Sequence, residues 1–194
     1  MQMLTGQDAG VRLADVKGNI SYWAKQVTAD SSTPNQVAAL NLFIDPDGPG
    51  SAYTYAPLIL EPVYQPQAVV AGTWQKWDGS AVTAKWWSTQ AFPGMTAFDP
   101  NAGPNIDQIS AANPEAVIRP EGYGFNQGSG NAGLMSAVDG LTIGTKTFDV
   151  DPRVFTATDC KSGGWATNFP VDTFTNQGDC VSFYASDGKT HPKG

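Results

Sequence analysis

The chain has 194 residues and a mass of 20.5 kDa, room for one domain, or one domain with an appendage. Its net charge of −7, with no run of Lys or Arg, argues against nucleic acid, because phosphate binding needs a basic stripe. With 21 glycines, 14 prolines, 11 % aromatics and only 15 % charged residues it reads as a turn-rich β protein, not a disordered acidic tail, and its single histidine argues against a Ser-His-Asp triad or a multi-histidine metal site.

Residues 1–150 carry short apolar runs broken by Gly, Pro, Asn and Asp. The runs are 10–16, 19–27, 37–45, 53–62, 72–78, 85–89, 116–127, 133–143 and 146–150. In 37–45, Leu40, Leu42 and Ile44 alternate with Asn41, Phe43 and Asp45, the period-two pattern of a strand. In 133–143, Asp139-Gly140 reads as a turn between Val138 and Leu141. Frequent turns and period two predict a β-sandwich or barrel. The exception is 105–113, where Ile106 and Ile109 stand three apart before Pro114, which fits a helix of one or two turns.

Residues 151–194 differ. Asp151-Pro152 reads as a linker. Thr158 is placed to cap a short helix containing Cys160 and stopped by Gly163-Gly164. Thr175 or Asn176 is placed to cap a second, with Cys180, Phe183 and Tyr184 on one face, and Trp165, Phe169 and Phe174 lie between. The tail from Asp187 onward, which holds His191, reads as frayed. Two cysteines are compatible with free thiols in a reducing compartment or with a disulfide in an oxidising one. No stretch approaches the roughly 20 apolar residues of a membrane span, and the opening MQMLTGQDAG has no secretory h-region.

Chemistry-bearing residues are few. Trp74 and Trp77 stand three apart, and Trp86 and Trp87 are adjacent, so on regular strands each pair points to opposite faces. One member of each pair can enter the core while the other is left as a stacking platform for the apolar face of a sugar, with Tyr55 extending it and Tyr53, Tyr64 and Tyr123 as further candidates. Asp45 and Asp47, in Asp-Pro-Asp-Gly, resemble the start of a calcium loop; Pro49 intrudes and Ala56 stands at the twelfth position, so this is a tight turn or a structural Ca2+ site completed by Asp78 or Asp139, not an EF-hand. Glu61, Glu115 and Glu121 are the whole set of glutamates, and none lies in the Glu-x-Asp-x-x-Glu string of a laminarinase-type enzyme. The string 125–131, FNQGSGN, has the flexibility and amides of a binding loop or a long hairpin connection.

The strings ISYWAKQV, LNLFIDPDG, LILEP, GTWQKWD, KWWST, GYGFNQGSGN and VDGLTIGTKTFDV resemble a β-sandwich module of secreted bacterial proteins. The following CKSGGW (160–165) and NQGDCVS (176–182) resemble the Cys-Lys-x-Gly-Gly-Trp … Asn-Gln-Gly-x-Cys-Val-Ser tail of those proteins. The resemblance implies an extracellular or cell-surface location and a Cys160–Cys180 disulfide, but no reaction. Similar modules begin with further strands, which makes this chain a candidate fragment of a longer secreted protein, with an open sheet edge suited to homo-oligomer formation.

The sequence therefore predicts a mainly β fold: a jelly-roll-like β-sandwich (concanavalin A-like or galactose-binding-like) over 1–150, and a short disulfide-closed helical appendage over 151–194. The leading expectation is a non-catalytic extracellular module that binds a polysaccharide or cell-surface polymer through Trp74, Trp77, Trp86, Trp87 and Tyr55. A self-assembling subunit of a surface layer, fibre or adhesin is the alternative. A glycoside hydrolase or lyase using Glu61, Glu121 or an Asp pair comes third.

Overall fold

The computed structural model describes residues 2–29, 34–49, 55–128, 133–150, 156–167 and 173–186. The chain divides into two compact units, Met1–Val150 and Asp151–Gly194. Tyr53, the Asp151-Pro152 linker, Phe169 and the tail with His191 lie outside the described residues.

The first unit runs β1 (Gln2–Thr5), α1 (Leu13–Val16), β2 (Ile20–Thr28), β3 (Ala39–Asp45), β4 (Ala56–Leu60), β5 (Gln75–Asp78), α2 (Ile106–Ala112), β6 (Val117–Asn126), β7 (Met135–Ile143) and β8 (Lys146–Phe148). It forms two antiparallel four-stranded sheets, β1-β6-β3-β4 and β5-β2-β7-β8. No described helix is long and apolar enough to cross a membrane.

Alternation decides which side chains meet. Leu40, Leu42 and Ile44 of β3 enter one core cluster with Leu58 and Leu60 of β4, Tyr22 and Ala24 of β2, and Leu141 and Ile143 of β7. The cluster draws on both sheets. Tyr22 and Phe125, one from each, have ring centroids 5.2 Å apart, and the Tyr22 hydroxyl donates to the Ala38 carbonyl at 2.8 Å. Among the largest wholly buried side chains is Trp86, whose Nε1 donates to the Gly79 carbonyl at 2.8 Å. A Cβ at Gly79 would stand 2.6 Å from the Trp86 ring, so the backbone approaches the indole too closely for any larger residue.

Three local expectations change. The 10–16 run is not a strand: Leu13 and Val16, three apart, are both buried on the short helix α1. Asp139-Gly140 does not turn the chain. β7 is continuous through it, with Gly140 at φ +55° beside a register shift against β2. Residues 85–89 are not a strand; within them Trp87 and Ser88 make isolated bridges, to Ile59 and Ala97. The expected helix at 105–113 is α2, started by a capping box in which the Asn105 side chain accepts from the Gln108 N–H and Gln108 returns the bond.

In the second unit, Cys160 and Cys180 are joined across a sequence separation of 20. Helix α4 (Gln177–Ala185) is capped by Asn176, which accepts from the Asp179 N–H. It places buried Cys180 beside Phe174, with Trp165, Val181, Phe183 and Tyr184 packed around them. Cys160 is not in a helix stopped by Gly163-Gly164. Helix α3 (Gly164–Thr167) begins there instead, and Cys160 sits in the preceding turn.

Candidate functional site

The β3 strand is buried on both faces, so something covers its outer side as well. There the register sets Asn41 between Gly124 of β6 and Ile59 of β4, and Ala39 opposite Asn126. Ile59 also pairs outward with Trp87, donating to its carbonyl at 2.8 Å and accepting from its N–H at 3.1 Å. Paired residues share a face, so Trp87 joins Ile59 and Asn41 outside while its neighbour Trp86 turns into the core.

These residues line a cavity of about 400 Å³. Gln36, Glu61, Tyr64, Thr89 and the end of β6 at Asn126 and Gln127 complete it. The volume lies in the ordinary range for small-ligand sites, roughly 300–1,000 Å³. Val37, Ala39, Ile59 and the Trp87 ring supply apolar surface, and the amides, hydroxyls and Glu61 supply polar groups.

Glu61 organises this wall. It follows β4, and one carboxylate oxygen accepts from Gln36 Nε2 while the other accepts from Trp87 Nε1 at 3.1 Å. The indole is thereby pinned. Gln36 is itself oriented, its Oε1 accepting from the Val37 N–H at 3.0 Å. Burial pushes the Glu61 carboxyl above its ordinary value, and the two donors oppose that shift. Burial also raises the Tyr64 phenol, and the Glu61 charge adds to it.

Asn41 is 4 % exposed, and its Oδ1 has no hydrogen-bond partner in the protein. A buried amide oxygen left unpaired costs about 1–3 kcal/mol, so its retention in the cavity lining asks for a reason. A half-turn about χ2 exchanges its oxygen and nitrogen, so Asn41 can offer either acceptor or donor to a bound group.

The five aromatic residues expected at the site separate. Trp77 and Trp86 are 2 % and 0 % exposed and belong to the core, so neither offers a surface for stacking. Trp87 lines the cavity. Trp74 is 42 % exposed and lies just before β5 of the other sheet. Tyr55 is 44 % exposed, but its ring is already engaged, stacked on Phe43 at 5.8 Å with the Arg119 guanidinium 5.6 Å from its centroid. Of the other tyrosines, Tyr64 reaches the cavity, whereas Tyr123 is buried and donates to Asp8 at 2.7 Å.

The carboxylates also divide. Glu121 is held by Arg119 through two bonds of 3.0 Å, and that partner lowers its pKa, whereas Glu115 pairs with Arg12. Asp45 is buried at the end of β3, where its carbonyl accepts from the Gly48 N–H in a turn, and Asp47 is exposed. Among the described residues no group of three or more His, Cys, Asp or Glu is placed to hold a metal ion.

Gln36, Asn41, Ile59 and Thr89 line the cavity without having stood out as site residues in the sequence. The one available signal was Asn41, a polar residue inside the apolar string LNLF. A second cavity, about 240 Å³ and lined from Gly94 to Gln108, has no aromatic lining residue. Comparison of the chain with protein-family models, with curated proteins and with solved structures finds no match.

Proposed function

We propose that the 1–150 unit is a non-catalytic extracellular binding module, built as a jelly-roll-like β-sandwich, that holds a carbohydrate or similar surface polymer in the Trp87–Glu61–Asn41 cavity. One observation carries the reading: an indole pinned by a carboxylate stands in the same cavity as a buried amide whose oxygen has no partner. A sugar ring needs this combination, an apolar surface for its C–H face and fixed polar groups for its hydroxyls.

Further features agree. Two antiparallel sheets sharing one core suit the sandwich build. The disulfide suits an oxidising compartment, in line with the resemblance to secreted modules. Hydrolysis of a glycoside by the usual route takes two carboxyl groups flanking the bond. Among the described lining residues Glu61 is the one carboxylate, and Glu121 is committed to Arg119, which favours binding over hydrolysis. The pinned indole needs no reordering when a ligand arrives, which lowers the cost of binding.

A glycan array followed by isothermal titration calorimetry tests this. Soluble oligosaccharides bind wild-type protein, and Trp87→Ala weakens them at least about tenfold, or ~1.4 kcal/mol. A well-folded protein that binds no glycan, or a Trp87→Ala variant that binds as wild type does, contradicts the proposal.

A further inference from the structure

The cavity also carries information about ligand charge. Its described lining contains no Lys, Arg or His; its ionisable residues are Glu61 and Tyr64. The two protein donors to the Glu61 carboxylate, Gln36 and Trp87, are both neutral. They solvate the charge without cancelling it. The whole chain carries −7, so the long-range field has the same sign as the local one.

The remaining polar groups are indifferent to charge but suited to hydroxyls. Asn41 can present an acceptor or a donor, Thr89 and Tyr64 carry hydroxyls, and each ionised oxygen of Glu61 has acceptor capacity beyond the one bond it makes to the protein. A sugar hydroxyl both donates and accepts, and therefore complements all of them. A ligand carboxylate or sulfate offers only acceptors. It would face Glu61 in a partly desolvated cavity, where like charges repel more strongly than in water.

We infer that this cavity selects uncharged, hydroxyl-rich sugar units and rejects sugars bearing a carboxylate or sulfate, with Glu61 setting the discrimination. The inference rests on the carbohydrate reading above and adds the ligand class to it. Glu61 is here a specificity residue, not a catalytic one.

The test uses matched series: neutral oligosaccharides, and uronic-acid oligomers of the same linkage, titrated into the full chain by calorimetry. The neutral member binds at least about tenfold more tightly than its acidic counterpart. The ratio shrinks in Glu61→Gln, which removes the charge at near-constant shape. It also shrinks for the wild type when the uronic-acid carboxylates are methyl-esterified, which removes the ligand's charge instead of the protein's. The ester arm needs no variant, so a poorly folded Glu61→Gln does not remove the test. Equal or tighter binding of the acidic series, or a ratio untouched by Glu61→Gln and by esterification, overturns the inference while the carbohydrate reading stands. Failure of both series to bind overturns that reading and the inference together.

Discussion

The outer faces of the two sheets both carry indoles, but in different settings. On β1-β6-β3-β4, Trp87 lines a cavity, pinned by Glu61 beside the Asn41 amide oxygen, which has no protein partner. On β5-β2-β7-β8, Trp23 is 43 % exposed opposite Lys76, and Trp74 is 42 % exposed just before β5. Exposure alone would rank Trp23 and Trp74 as the better platforms. Single exposed apolar side chains are normal on any protein surface, whereas a buried amide oxygen without a partner is uncommon; the other two such atoms among the described residues, Trp77 Nε1 and Asn113 Oδ1, line neither cavity. Concavity and an orphaned polar atom, more than exposed aromatic area, make the Trp87 face the candidate site.

Substitutions at the tryptophans sharpen the contrast, and the largest effect falls on neither face. Trp86→Ala empties the core beneath Trp87 and strands the Gly79 carbonyl. It should cost about 3–5 kcal/mol in urea unfolding of the 1–150 unit. Reduction of Cys160–Cys180 comes next. The chain-entropy model gives about 3 kcal/mol for a loop of this length. The loss should be confined to the second unit, read as lost amide protection there, while sugar affinity holds because every described cavity residue lies within 1–150. Trp87→Ala should lower sugar affinity at least about tenfold and cost about 1–3 kcal/mol in unfolding, because it takes a donor from the half-buried Glu61 carboxylate. Trp23→Ala and Trp74→Ala should each change affinity less than about twofold, since only the hot spot of a binding surface carries much energy. A larger effect at Trp74 than at Trp87 would reverse the comparison.

The smallest effect is one of pH. Burial raises the Glu61 pKa above its ordinary 4.5, so the folded state holds that proton more tightly than the unfolded chain does. The ionised carboxylate therefore costs stability at all pH above the raised value. The cost fades as pH falls through the window between that value and 4.5, and it is absent below. Carboxyl 13C chemical shifts should put the Glu61 midpoint above 4.5 and that of Arg119-paired Glu121 below it.

Much of the scaffold was legible because it depends on local periodicity. The alternation of Leu40, Leu42 and Ile44 with Asn41 and Phe43 gave β3 its core face. The spacing of Trp74–Trp77 and the adjacency of Trp86–Trp87 correctly implied that each pair is split between core and outside. The cap of α4 was readable as Thr175 or Asn176 because a cap oxygen acts within one turn, and Asn176 is the one that serves. What was not legible depends on long-range register. Asn41, Ile59 and Trp87 become neighbours only when β3 pairs with β4 and the 86–88 segment bridges to Ile59. The short helix α1 was read as a strand because an apolar run of four to seven residues has no diagnostic period. The Asp139-Gly140 turn was an error of the same kind. A glycine at positive φ serves a bulge as well as a hairpin, and only the partner strand decides which.

The most direct test follows the side-chain N–H resonances of the six tryptophans by 1H–15N NMR as a neutral oligosaccharide is added. The Trp87 indole, bonded to Glu61 within the cavity, should show the largest shift, while those of Trp23 and Trp74 stay in place. Shifts at Trp23 or Trp74 with Trp87 unmoved would put the ligand on the other sheet and contradict the account.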